Sequence, residues 1–194
     1  RRLPRLDLSA GVPESARTMV IVPTMLTTAA GVDALIEHIE VLALGNSDPC
    51  IHFAILSDFA DTTASDAPGD AALLERAIAG DEALNAKAGT ERADRFFLFH
   101  RERQWNPREH AWIGWERKRG KIEEFNRLLR GAIDTSFTTQ VGELERLAAI
   151  RYCITLDSDT RLPRDAAKRM VGIIEHPLNR PQFDARLQRV ATGY

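Results

Sequence analysis

Four short runs of apolar and β-branched residues, each closing on a polar segment and each separated from the next by helical spacing, constrain this chain more than any other feature. They are Thr18-Met19-Val20-Ile21-Val22-Pro23-Thr24, Ile51-His52-Phe53-Ala54-Ile55-Leu56, Arg95-Phe96-Phe97-Leu98-Phe99-His100 and Arg151-Tyr152-Cys153-Ile154-Thr155-Leu156. Continuous apolar runs of this length, rather than alternating ones, mark strands covered on both faces. Between them, apolar residues at 32, 35, 36, 39 and 42 predict a helix over Val32–Leu42. The Ala-, Leu- and Glu-rich stretch from Asp70 to Lys87 predicts a second helix, with Gly89 as its stop. Apolar positions 122, 125, 128, 129 and 132 predict a third over Lys121–Ala132, and Pro163 opens a fourth that runs to about Ile174. Strand alternating with helix predicts an α/β fold: a mainly parallel, doubly wound, Rossmann-like sheet.

Between these elements, Ser57-Asp58-Phe59-Ala60-Asp61 reads as the exit loop of the second strand. Residues 101–115, which carry all three tryptophans, read as a long loop, and the polar, β-branched stretch 134–142 as a flexible surface insertion. In doubly wound sheets ligands collect where the carboxyl ends of the strands meet their loops, so Pro23, Thr24, Asp58, Asp61, the tryptophan loop, Asp157 and Asp159 are all expected on one rim.

With 194 residues, 26 Lys+Arg, 28 Asp+Glu and a net charge of -2, the chain lacks the basic footprint of a nucleic-acid binder. Mean hydropathy is -0.26, and no run approaches the roughly 18 apolar residues of a membrane span. Cys50 and Cys153, far apart and each beside an apolar run, are expected as free thiols packed like small apolar residues. The opening Arg1-Arg2-Leu3-Pro4, without Met, reads as a segment of a longer protein.

Leu156-Asp157-Ser158-Asp159 is the sharpest chemical signal. Strand alternation would set both carboxylates on one face, with Cα atoms roughly 7 Å apart. Two carboxylates so spaced can address one hard divalent cation, and Mg²⁺ bound this way completes its shell with phosphate oxygens. An EF-hand beginning at Asp157 would need Gly and Glu where Leu162 and Lys168 stand, and an aspartyl-phosphate motif would need Thr at Arg161. The cluster Arg117-Lys118-Arg119-Gly120-Lys121 at a helix start opposes the macrodipole, which suits either a bound diphosphate or a solvated turn balanced by Glu116, Glu123 and Glu124. It is not a Walker loop, no Gly-x-Gly-x-x-Gly follows the first strand, and no Gly-x-Ser-x-Gly elbow is present. Asp58 is either a base or ribose acceptor or a turn-stabilising residue. Trp112 and Trp115 are candidate contacts for a sugar or acceptor, or packing beneath the loop.

Taken together, Val22-Pro23-Thr24, the 52–61 string ending Ser57-Asp58-Phe59-Ala60-Asp61, Gly114-Trp115-Glu116-Arg117-Lys118-Arg119-Gly120-Lys121 with Asn126 downstream, and Thr155-Leu156-Asp157-Ser158-Asp159-Thr160-Arg161-Leu162-Pro163 resemble the processive, inverting glycosyltransferases of the GT-A fold. The wording is most similar to the glucosyltransferase domain of cyclic β-1,2-glucan synthases, over nearly the whole chain. The resemblance implies that residues 1–194 form the donor-binding part of such a domain, using UDP-glucose, a glucan acceptor and Mg²⁺ or Mn²⁺. It implies Pro23 and Thr24 around the uridine, Asp58 and the neighbouring Asp61 at the base, Lys118, Gly120 and Lys121 near the diphosphate, and Asp157 and Asp159 on the metal. It also implies a large inner-membrane protein with this domain on the cytoplasmic side. The alternatives are a non-catalytic nucleotide-sugar-binding module and a sugar-nucleotide pyrophosphorylase, the latter lacking its Gly-rich loop at Pro23-Thr24-Met25-Leu26-Thr27.

The relatives carry their general base and a Gln-x-x-Arg-Trp downstream of Asp-x-Asp, beyond where Tyr194 falls, and deprotonating the acceptor hydroxyl requires that base. Residues 1–194 are therefore expected to bind UDP and metal without transferring glucose. A UDP-glucose transfer assay checks this, and glucan made by the chain would overturn it.

Overall fold

A computed structural model describes residues 3–89 and 95–193; Arg1, Arg2, residues 90–94 and Tyr194 lie outside the described residues. In chain order the elements are β1 (Thr18–Leu26), α1 (Ala29–Gly45), β2 (Ile51–Phe59), α2 (Asp70–Ala88), β3 (Phe96–Arg101), β4 (Gln104–Asn106), β5 (Ala111–Ile113), α3 (Arg117–Leu128), β6 (Phe137–Val141), β7 (Tyr152–Thr155), α4 (Ala166–Ile174), β8 (Gln182–Asp184) and β9 (Arg189–Thr192). A five-stranded sheet in the order β6-β3-β2-β1-β7 forms the centre, with β7, β1, β2 and β3 parallel and β6 antiparallel at one edge. This is the mixed α/β, mostly parallel, Rossmann-like architecture that the alternating pattern predicts.

Side-chain alternation sorts the core into two layers. Val20, Val22, Phe53, Ile55, Phe96 and Leu98 face one way and are covered by α1, α2 and α4 through residues such as Val32, Ile39, Ala77, Leu84 and Val171. Met19, Ile21, Ala54, Leu56, Phe97 and Phe99 face the other way, against Phe125 of α3, Phe137 of β6 and Leu147. Nearly every inner position of the three central strands is fully buried. At roughly 1.5–3 kcal/mol for each large apolar side chain, this double-sided burial is what commits the runs to strands.

Several expectations are corrected. Ser57, Asp58 and Phe59 continue β2 instead of forming its exit loop, because β1 keeps pairing with them as far as Leu26↔Phe59. Stretch 134–142 contains β6; its polar residues belong to an edge strand on which only Phe137 is buried. The tryptophan loop holds a two-stranded hairpin, with Trp105 opposite Trp112. Helix α3 starts at Arg117 and stops at Leu128, where the Ala132 N–H turns back to the Arg127 carbonyl (3.0 Å). Pro163 belongs to the turn before α4, its carbonyl accepting from the Ala166 N–H (3.0 Å). Cys50 is buried and Cys153 half-buried, neither in a disulfide among the described residues, and burial pushes the Cys153 thiol up to about 11.

Helix α2 buries a carboxylate. Asp81 is almost wholly enclosed; its Oδ2 accepts from Asn85 Nδ2 (3.3 Å), and Oδ1 has no partner among the described residues. Burial, with Glu82 nearby, pushes its pKa up to about 7. The folded chain therefore holds a proton that the unfolded chain releases near pH 4, so Asp81 costs stability progressively as pH rises from about 4 to 7. Buried His100, its Nδ1 paired with Ser57 Oγ at 2.9 Å, slopes the opposite way. Burial lowers its pKa to about 4, so stability falls as pH drops from 6.5 towards 4. Asp81→Asn should remove the first slope only. Urea denaturation at pH 8 should find the variant more stable by on the order of 2 kcal/mol, with the difference vanishing near pH 4.

Candidate functional site

A cleft of about 430 Å³ opens at the carboxyl edge of the sheet, lined by Pro23, Thr24, Met25, Thr27, Asp58, Arg117, Lys118, Lys121 and Ser158. Its origin is topological. Strand β1 feeds β2 on one side while β7 lies on the other, which makes the β1/β7 boundary the switch point of the sheet. Pairing of β1 with β7 ends at Ile21↔Thr155, whereas β1 runs on to Leu26. Pro23 stands just past that divergence, so its missing N–H removes no ladder hydrogen bond.

The cleft wall rests on a buried charge cluster. The Arg101 guanidinium, 0% exposed at the end of β3, donates to both Asp58 oxygens (Nε 2.7 Å, Nη2 2.9 Å), to Glu124 Oε2 (2.7 Å) and to the carbonyls of Trp115 and Arg117 (3.0 Å each). Glu124 also accepts from the Ser136 N–H (2.9 Å) and hydroxyl (2.7 Å). The Lys121 ammonium, 2% exposed, lies 3.0 Å from Asp58 Oδ2 and donates to the Thr24 carbonyl. Burial lowers the Lys121 pKa, with Asp58 opposing it; burial also works against the Arg101 charge, but the bonds to Asp58 and Glu124 outweigh it and raise that pKa.

Two glycines permit this packing. A Cβ on Gly114 would meet Asp58 Oδ2 at 2.6 Å and Arg101 Nη2 at 2.9 Å, and one on Gly120 would meet the Trp115 ring at 2.7 Å and Glu116 Cβ at 2.9 Å. Gly120 thus brings the first turn of α3 against Trp115. Glu116 and Arg117 both take the left-handed backbone (φ 48° and 46°), a conformation worth roughly 1–3 kcal/mol of strain at each non-glycine residue.

At the mouth of the cleft the charges are exposed. Lys118 contacts Asp157 Oδ1, and Arg117 pairs with Asp61 (2.9 Å) and Glu109 (2.5 Å); those hydrogen bonds raise the Arg117 pKa. Asp157 and Asp159 sit on a turn, closed by the Thr160 N–H to the Asp157 carbonyl (2.9 Å), and not on the alternating strand positions expected. The reason is that β7 ends at Thr155, and only Leu156 still bonds across, to the Ile21 carbonyl (3.0 Å). No group of three or more His, Cys, Asp or Glu residues placed to hold a metal occurs among the described residues. Two exposed carboxylates form a hard, incomplete oxygen set, which fits a cation of the Mg²⁺ type that keeps water or phosphate oxygens as its other ligands.

The structure thus gathers Pro23, Thr24, Asp58, Lys118 and Lys121 around one cleft, with Ser158 between the two aspartates on its lining. Gly120 lies beneath Trp115, and Asp61 is turned to Arg117. Trp115 borders a second groove and Trp112 packs against Trp105 (ring centroids 6.0 Å apart). Sequence reasoning missed Arg101, Glu124 and Arg117 as organisers of the site. An arginine closing a strand as apolar as β3 was the available signal for the first.

No family model matches the chain. Over 193 residues, 100% of its length, it is 45% identical to Cyclic beta-(1,2)-glucan synthase NdvB of Rhizobium meliloti. The chain is related to that protein and spans 7% of its length.

Replacing Arg101 should expose how much rests on it. Arg101→Leu strands two buried carboxylates beside a single lysine, which should cost about 3–5 kcal/mol. Arg101→Lys should recover little, because an ammonium has three donors and no planar fork. Chemical denaturation of both variants against the parent checks this.

Proposed function

We propose that the chain is the donor-binding part of a metal-dependent, inverting glucosyltransferase that moves glucose from UDP-glucose to a growing β-1,2-glucan. One observation carries the reading: a cleft at the switch point of the sheet is lined by Lys118, Lys121 and Ser158, the middle residue of an Asp-Ser-Asp turn whose Asp157 meets Lys118. The 45% identity to a stretch of a cyclic β-(1,2)-glucan synthase supports the choice of sugar and linkage.

In this reading Pro23 and Thr24 border the uridine. A carboxylate offers about four acceptor positions, and Asp58 uses three of them on Arg101 and Lys121, leaving one for a base N–H. Lys121 is anchored and supplies fixed positive charge. Lys118 is half-exposed and leaves Asp157 for the donor's diphosphate when Asp157 and Asp159 hold Mg²⁺ or Mn²⁺. The cation supplies Lewis-acid neutralisation of the departing diphosphate. The lysines add preorganised charge where negative charge accumulates as UDP leaves. Asp61 holds Arg117 at the mouth, and Gly120 lets the helix start approach. The same reading sets the domain on the cytoplasmic side of an inner-membrane protein; no helix among the described residues is long and apolar enough to cross a membrane.

Calorimetric titration with UDP, with and without Mn²⁺, tests the proposal. The parent should bind UDP more tightly with the metal, and the Asp157→Ala/Asp159→Ala double variant should lose that gain. Lys118→Ala should weaken UDP roughly tenfold or more, the scale of one charge-assisted hydrogen bond. Equal binding by parent and double variant, with Mn²⁺ without effect on either, would overturn it.

A further inference from the structure

Beside the donor cleft lies a second depression of about 390 Å³, walled by Trp105 and Trp115, floored by Ile113 and rimmed by Asn106, Arg108 and Glu116. We infer that this groove is a carbohydrate-binding site that seats a β-linked glucan chain and delivers its end to the donor cleft. The link to the donor cleft rests on the glucosyltransferase reading above; the binding of a glucan does not.

Four observations point to a sugar. Trp105 is 47% exposed and Trp115 40%, although both are large apolar side chains on anchored backbone, and they border the same groove. Flat aromatic faces set among amide, carboxylate and guanidinium groups match a pyranose, which presents apolar C–H faces and a belt of hydroxyls. The charges bordering the groove balance, with Arg108 and Arg117 against Glu109 and Glu116, so a neutral polyol suits it better than a phosphate-rich polymer. The groove is also prebuilt. Trp112 and Thr62 exchange backbone hydrogen bonds (2.7 and 3.1 Å), tying the hairpin to the chain beyond β2, and Arg101 holds the Trp115 carbonyl at 3.0 Å. A fixed aromatic platform lowers the entropic cost of binding a flexible chain.

Placement then gives the groove its role. Arg117 borders both the groove and the donor cleft. The strained Glu116-Arg117 step is the ridge between them, with Trp115 on the groove side and Lys118 on the cleft side. A chain lying across Trp105 and Trp115 would end at this ridge, beside the lysines assigned to the diphosphate. The role falls to Trp105 and Trp115, whereas Trp112, opposite Trp105 in the hairpin and packed against its ring, does not line the groove.

The test is direct because Trp105, Trp112 and Trp115 are all the tryptophans in the chain, so intrinsic fluorescence reports on this hairpin and the step that follows it. Titration with a β-1,2-linked glucose oligosaccharide should give a saturable change in emission without UDP. Trp105→Ala should weaken the affinity about tenfold. Arg108→Ala, an exposed rim change that leaves all three tryptophans in place, should weaken it by a smaller factor, with an unchanged circular dichroism spectrum in both variants. No saturable change in the parent, or parent-like affinity in Trp105→Ala by calorimetry, would overturn the inference. UDP titrated in parallel separates the two readings: a glucan signal without UDP binding overturns the donor assignment and upholds the groove, and UDP binding without a glucan signal does the reverse.

Discussion

The Arg101 guanidinium is the point on which the functional half of the molecule hangs. A planar guanidinium has five N–H donors, and here five bonds reach two carboxylates and two backbone carbonyls on three different parts of the chain. Asp58 comes from β2, Glu124 from the middle of α3, and the carbonyls of Trp115 and Arg117 from the strained entry to that helix. With Lys121 added, the buried cluster holds two positive and two negative groups and is neutral as a whole. Such a cluster returns little net stability once desolvation is counted. Its product is geometry, because only one arrangement of β2, β3 and α3 satisfies all five donors.

That arrangement explains why Glu116 and Arg117 can both remain left-handed without glycine. Their strain, roughly 1–3 kcal/mol each, is held by the two carbonyl bonds from Arg101 and by the contact that Gly120 allows between α3 and Trp115. The ridge they form divides one carboxyl-edge surface into two depressions of similar size but different chemistry. The first is bordered by lysines and an Asp-Ser-Asp turn, the second by tryptophans and balanced charge.

Strands β1, β2 and β3 were legible in the sequence because each is buried on both faces, and a run such as Phe96-Phe97-Leu98-Phe99 has no other stable environment; β7, half-buried at the other edge, was legible from its apolar run alone. Edge strand β6 was not, since one face meets solvent and Thr138-Thr139-Gln140 look like loop residues. The residues of the cleft were legible as types, Pro23, Thr24 and Asp58 near the ends of strands and Lys118 and Lys121 at the start of a helix, and the structure brings them to one cleft. Their partners were not. Nothing local to Asp58 says that its carboxylate is spanned by an arginine 43 positions later, or that the basic cluster at α3 divides into a buried Lys121 and an exposed Lys118. Pairings of this kind are tertiary facts, set by which face of a helix meets which strand, and periodicity reports faces without naming neighbours.

The near-zero net charge of the chain acquires a physical meaning from this division. Lys121 and Asp58 pair inside the protein, where water cannot screen them and where losing Asp58 would leave Lys121 without a buried counter-charge. Lys118 and Asp157 neutralise each other at the mouth, both more than half exposed, where ion pairs are worth about 0–1 kcal/mol and exchange partners at little cost. A site that must admit an anion together with a cation needs both kinds of pair. If the mouth pair were buried, opening it would cost as much as ligand binding returns; if the inner pair were exposed, the lysine nearest the Thr24 carbonyl would lose its fixed position. Burial therefore decides which of these charges form the frame and which are free to meet a ligand.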